Sequence, residues 1–142
     1  NHPYKYLHSE VGYNYRLANI NAAIGCAQIE KISKIIRSQR KLFKKYKNIF
    51  KEMKEVEILD EPEECFSNFW LQTLILKKKN QYSIDFILKY LNQRGFQVRP
   101  VWNLINEIKF YRKFPKMDLS QSKMLRNSLI NLPSSPEILM NR

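Results

Sequence analysis

Three short clusters carry the side chains best suited to chemistry in this 142-residue chain. The first is Tyr13-Asn14-Tyr15-Arg16, with His8 nearby, and it runs straight into a stretch of small residues. An amide and a guanidinium at a helix entrance suit a phosphate, through neutral and charge-assisted hydrogen bonds. Tyrosines filling an interface are the plainer account of the same loop. The second cluster, Arg99-Pro100-Val101-Trp102, ends a strand-like run in a cation, a turn-former and a large stacking surface. Arg99 and Trp102 can hold a nucleotide or a sugar, and Trp102 can equally be core. The third, Leu132-Pro133-Ser134-Ser135, is a loop able to approach a ligand, with a connector as its more ordinary role.

What is missing narrows the chemistry further. The sequence offers no Ser/His/Asp set, no paired carboxylates in an apolar setting and no glycine-rich phosphate loop, since it has only three glycines. No lysine sits in a pattern that suggests the buried amine of Schiff-base chemistry. His2 and His8 are the only histidines, so a structural zinc site is not expected. Cys26 and Cys65 lack a CxxC or Cys/His spacing and are expected to act as small core hydrophobes. Taken alone, the chain is expected to turn nothing over.

The elements that must position these clusters read as follows. Residues 1–18 form an extended segment broken at Pro3 and Gly12. Asn19 is a good N-cap, and the apolar spacing Ile29, Ile32, Ile36, Phe43, Tyr46, Phe50 predicts one helix over 20–54, with Gln39 on the same stripe. Such a helix would run roughly 52 Å, against a diameter of about 37 Å for a compact globule of this size. The helix outruns its own domain, and its first half is lined by Ala22, Ala23, Gly25, Cys26 and Ala27, which bury little themselves. Something outside this chain is expected to pack there. Val56 to Leu59, Phe69 to Leu76 and Phe96 to Val101 read as strands, with Pro100 marking an edge. Ser83 caps a helix over Ile84 to Arg94 that stops at Gly95, and Ser120 caps another over Gln121 to Leu129, after a partly helical stretch from Leu104 to Phe114. Two or three strands with helices on one face make a small two-layer α/β (α+β) domain.

The formal charge of +12 invites a nucleic-acid reading. Ten of the 25 basic residues lie between Lys31 and Lys54, but they spread around a helix rather than along one stripe. A solvated face is the simpler account. No apolar run reaches membrane-spanning length and no signal pattern opens the chain, so a cytoplasmic protein is expected.

The string GYNYRLANINAAIGCAQIEKI, followed in order by NFWLQTLIL, RGFQVRPVWNLIN and INLPSS, resembles the C-terminal domain of the DegT/DnrJ/EryC1/StrS sugar aminotransferases. The RPVW segment looks most like the branch acting on nucleotide-linked 4-keto-6-deoxy sugars, of the legionaminic acid or bacillosamine type. The resemblance covers Tyr4 to Ser135 and implies the small domain of a fold-type I enzyme, with a long helix, a mainly antiparallel sheet and further helices. It implies pyridoxal 5′-phosphate as cofactor, glutamate as amino donor, a homodimer, and a missing N-terminal domain holding the Schiff-base lysine. Carried over residue by residue, it places Asn14 and Arg16 at the cofactor, and His8, Tyr13, Arg99 and Trp102 at the nucleotide-sugar substrate. The family's last helix normally follows the LPSS loop, whereas here Pro136 to Arg142 gives out. Neither nucleic acid nor membrane is an expected partner. Two competing readings remain: a basic module binding nucleic acid or an anionic surface, and a helical oligomerisation module built on the long helix.

Overall fold

A computed structural model describes residues 4–5, 10–77 and 82–140, the side chain of Met140 excepted; His8 lies outside the described residues. The first described elements are two helices, α1 over Asn19–Ile29 and α2 over Ile32–Phe50. The single helix expected over 20–54 is therefore interrupted at Glu30 and Lys31 and ends earlier. At the break the ladder tightens, Lys31 N–H donating to the Gln28 carbonyl three residues back. The change falls where support changes. No residue of α1 is buried, whereas α2 buries Ser38, Gln39, Leu42 and Phe43. The N-cap of α1 is Ala18 without a side-chain bond, so Asn19 is the first helical residue rather than the cap. Cys26 and Cys65 are both exposed, which corrects their expected place in the core.

The sheet has four strands, β1 (Val56–Ile58), β2 (Gln72–Leu76), β3 (Arg99–Pro100) and β4 (Leu129–Leu132). They lie in the order β1-β2-β4-β3, antiparallel throughout. Between β2 and β3 comes α3 (Ile84–Gln93), capped by Ser83, whose hydroxyl accepts from Phe86 N–H. Gly95, at φ +84°, ends that segment in the left-handed region. Two single 3₁₀ turns, Ile105–Glu107 and Lys109–Tyr111, precede α4 (Ser120–Arg126), and α5 (Glu137–Met140) follows β4.

The expected helix over Gln121 to Leu129 is shorter than its pattern, because Leu129 to Leu132 is drawn into the sheet as β4. Ile130, Asn131 and Leu132 are all buried, so this strand has no alternation to betray it. Of the run Phe96 to Val101 only Arg99 and Pro100 pair, and β3 is an edge strand, where proline is tolerated.

The core lies between the sheet and the helices α2 and α3. Leu88 of α3 and Ile130 of β4 are both 0% exposed, and Val98, Leu74, Ile58 and Phe43 close around them. The register sets Leu74 opposite Ile130, while Thr73, Asn131 and Arg99 form a polar row on the other face. Thr73 donates its hydroxyl to Asn131 Oδ1 at 3.0 Å.

Candidate functional site

The segment leading into β2 is shaped by a costly backbone. Phe69 adopts φ +47°, a conformation that costs a non-glycine residue on the order of 1–3 kcal/mol. Neighbouring groups hold it there. Ser67 Oγ accepts from Phe69 N–H and Asn68 Oδ1 accepts from Trp70 N–H, each at 3.0 Å. The Phe69 ring stacks on Phe43 with centroids 4.0 Å apart. Arg40 lies over the rings of Phe66 and Phe69 and forks onto Glu61, at 2.5 and 3.0 Å. Glu61 also accepts from Ser67 N–H at 2.6 Å. The Arg40 hydrogen bond, followed by that from Ser67, holds the Glu61 carboxyl below its ordinary value. The bend anchors Phe69 inward and turns Trp70 outward, 65% exposed.

A second anchored loop faces it. Ser134 Oγ accepts from Gln72 N–H at 2.8 Å and donates to the Leu132 carbonyl at 2.7 Å. Helix α2 fixes the same loop from behind, with Gln39 Nε2 donating to the Ser134 carbonyl and the Tyr46 hydroxyl to that of Pro133. Burial raises the Tyr46 phenol above its usual value. Gln39 is thus the polar exception in the apolar stripe for a reason: its amide ties the loop to the helix. The Oε1 atoms of Gln39 and Gln72 are buried without a partner among the described residues.

Arg99 and Trp102 complete the wall. The Arg99 guanidinium donates through Nη1 to Asn92 Oδ1 and to its neighbour's carbonyl at Val98. Trp102 is 49% exposed and therefore not core. Its ring lies 6.3 Å from that of Trp70, tilted by 31°. Together with Arg99, Asn131 and Ser134, the two indoles line an open cleft of about 400 Å³. A second hollow of about 590 Å³ lies across Trp102, but its cations are occupied: Lys5 pairs with Asp85, Lys77 with Glu57, and Arg126 with Glu107.

Of the three clusters singled out from sequence, the structure brings two together. Arg99 and Trp102 share the cleft with the Ser134 loop, which is more than a connector. The first cluster stands apart. Tyr13 and Tyr15 are 79% and 89% exposed. Arg16 takes φ +68° and its N–H donates to Asn14 Oδ1 at 2.8 Å, a turn that needs nothing outside itself. The amide nitrogen of Asn14 and the guanidinium of Arg16 have no partner among the described residues. Around them Val11, Leu17, Ile20, Ile24 and Ile29 are all exposed. Sequence reasoning missed Trp70, Gln39 and Asn131. An Asn-x-Trp turn before an aromatic strand was the available signal for the first, and a lone amide on an apolar stripe for the second.

Among the described residues no lysine is buried, no group of side chains suits a metal ion, and no helix is long and apolar enough to cross a membrane.

Comparison with known proteins adds three findings. The profile of the DegT/DnrJ/EryC1/StrS aminotransferase family matches residues 1–141. Among curated relatives, a putative pyridoxal phosphate-dependent aminotransferase, EpsN, of Bacillus subtilis (strain 168) is 38% identical over 97 residues, covering 68% of this chain and 24% of its own. A GDP-perosamine synthase of Vibrio cholerae is 30% identical over 135 residues, 93% of this chain and 36% of its own. The chain thus spans a quarter to about a third of the curated relatives it matches. Among solved structures, Helicobacter pylori PseC, an aminotransferase of pseudoaminic acid biosynthesis, superposes with a TM-score of 0.79 at 22% identity, over 94% of this chain and 36% of that one. That likeness establishes the α+β fold.

Proposed function

The chain belongs to the DegT/DnrJ/EryC1/StrS aminotransferase family, and on that premise we propose that it is the C-terminal portion of a pyridoxal 5′-phosphate-dependent sugar aminotransferase. Residues 1–18 serve as an active-site and interface segment, and residues 19–142 as the small domain. The acceptor is a nucleotide-linked keto-deoxy sugar, the amino donor is glutamate, and the product enters cell-surface glycan synthesis. The working enzyme is a cytoplasmic homodimer whose larger N-terminal domain carries the Schiff-base lysine.

One observation carries this reading. Among the described residues the Asn14 amide nitrogen and the Arg16 guanidinium are two unpartnered donors beside exposed apolar side chains, which is what half of a site looks like when the other half lies elsewhere. The donor set fits the phosphate of the cofactor: two amide N–H groups and a planar cation meet a dianion without a metal. The Asn14–Arg16 turn, closed by its own hydrogen bond, keeps these donors close together on a short span of backbone. Bound there, the cofactor would supply an electron sink through which an amino group passes between donor and acceptor. The chain's own residues bind and orient. Asn14 and Arg16 would hold the phosphate, Tyr13 and His8 would serve the substrate, and Arg99 and Trp102 would receive its nucleotide portion in the cleft. The rigid Ser134 loop keeps that cleft open.

The basic-module alternative is not favoured, since Arg40 and Lys47 of α2 are tied to Glu61 and Asp60 and leave no uninterrupted cationic stripe. The test is direct. The intact enzyme carrying this chain takes up pyridoxal 5′-phosphate, acquires its visible absorbance, and forms 2-oxoglutarate from glutamate when given a nucleotide-linked keto sugar. The 142-residue chain alone does neither. An intact protein that leaves the cofactor in solution sinks the reading.

A further inference from the structure

We infer that Trp70 is a stacking platform for the nucleobase of the substrate, paired with Trp102 as its side wall and set beside Arg99 as the cation for the phosphates. This inference rests on the proposed nucleotide-sugar reading and adds to it a residue and a base-binding role that the motifs did not supply.

Trp70 stands before β2 and Trp102 after β3, two strands separated in the sheet by β4, so no local pairing brings the indoles together. Their ring centroids nevertheless lie 6.3 Å apart, and both indoles remain exposed, Trp70 at 65% and Trp102 at 49%. A tryptophan that merely fills space would turn inward; here the inward place is taken by Phe69, stacked on Phe43. The positive φ of Phe69 and the Asn68–Trp70 turn commit the backbone to presenting Trp70 at the cleft. Strain of this kind persists where surrounding contacts over-determine it, and it gathers at ligand-binding positions.

The remaining chemistry of the cleft matches a nucleotide rather than a free sugar. A broad indole surface recognises a planar ring through its π-face, whichever base it is. Arg99 lies on the same sheet face as Asn131, in register with it, and its position is fixed by Asn92. A held guanidinium beside an aromatic wall suits a base followed by phosphate oxygens. The cleft of about 400 Å³ is open, as a ligand continuing towards another part of the enzyme requires.

The experiment compares the intact, cofactor-loaded enzyme with two variants, Trp70→Phe and Trp70→Leu. GDP and inorganic pyrophosphate are titrated calorimetrically against each. Stacking predicts that Trp70→Leu weakens GDP by about tenfold or more, that Trp70→Phe loses much less, and that pyrophosphate binds all three alike. In turnover, Trp70→Leu raises KM for the nucleotide sugar with kcat nearly unchanged. Equal weakening of GDP and pyrophosphate, or a fall in melting temperature with GDP binding intact, would instead make Trp70 a packing residue and overturn the inference. An unmodified enzyme that aminates its sugar yet binds neither GDP, UDP nor dTDP removes the nucleotide-sugar reading itself, a different failure from loss of the Trp70 role alone.

Discussion

The two halves of what sequence periodicity presents as one helix behave differently. Helix α2 buries Leu42 and Phe43 and fastens the 133–136 loop through Ser38, Gln39 and Tyr46. Helix α1 buries no residue and exposes Ile20, Ile24 and Ile29, and residues 10–18 before it are exposed as well. One half is finished by this chain, and the other is surface awaiting a cover. An apolar stripe therefore reports that burial is intended, not that the same chain supplies it. The lesson bears on function, because the unfinished half carries Asn14 and Arg16 while the finished half carries the cleft.

Core truncation sets the largest contrast between these regions. Leu88→Ala or Ile130→Ala, at fully buried positions, should cost about 2–5 kcal/mol, while Ile24→Ala should move the denaturant midpoint of the 142-residue chain hardly at all. Equal losses at Ile24 and Ile130 would break the division. In the intact enzyme Ile24→Asp should then disrupt assembly, as sedimentation would show.

Removal of the α3 cap by Ser83→Ala should cost about 1 kcal/mol, measured by chemical unfolding, and should leave cofactor uptake unchanged. Arg16→Gly should do the reverse. Glycine adopts φ +68° without strain, so the chain should be no less stable, whereas the intact enzyme should release pyridoxal 5′-phosphate more readily on dialysis.

A smaller effect appears in the acid limb. The folded Glu61 carboxyl is held below its usual value by Arg40 and then Ser67. Its contribution is therefore complete above the unfolded carboxylate range near pH 4, and it is lost as pH falls through the lowered folded value. Glu61→Gln should flatten the loss of stability on acidification, and an unchanged acid limb would show that the Arg40–Glu61 fork adds little.

Much of this fold was legible. The stripe on α2, the Ser83 cap, the stop at Gly95 and the edge position of Pro100 each follow from residue type and spacing, and the structure has all four. The break at Glu30 was not legible, since no proline or glycine marks it; it reflects where packing begins. Strand β4 was hidden for another reason. A central strand buried on both faces shows no alternation, and its four residues follow a helical pattern without a breaker. At the site, Arg99 and Trp102 were readable as chemistry, while Trp70 was absorbed into a hydrophobic strand. Its role depends on the backbone turn at Phe69, which a string of apolar letters does not display.

The sheet order has a consequence for how the protein is made. β4 is synthesised after β1, β2 and β3, yet it sits between β2 and β3 and joins them. Until it arrives, the β1–β2 hairpin and the α3–β3 unit share no edge, and Leu74 and Val98 wait without their common neighbour Ile130. Such long-range closure is slow and leaves sticky intermediates. Nascent chains should accordingly lean on trigger-factor-like holdases until residue 132 has emerged, and pulse-labelled material stalled before that point should aggregate.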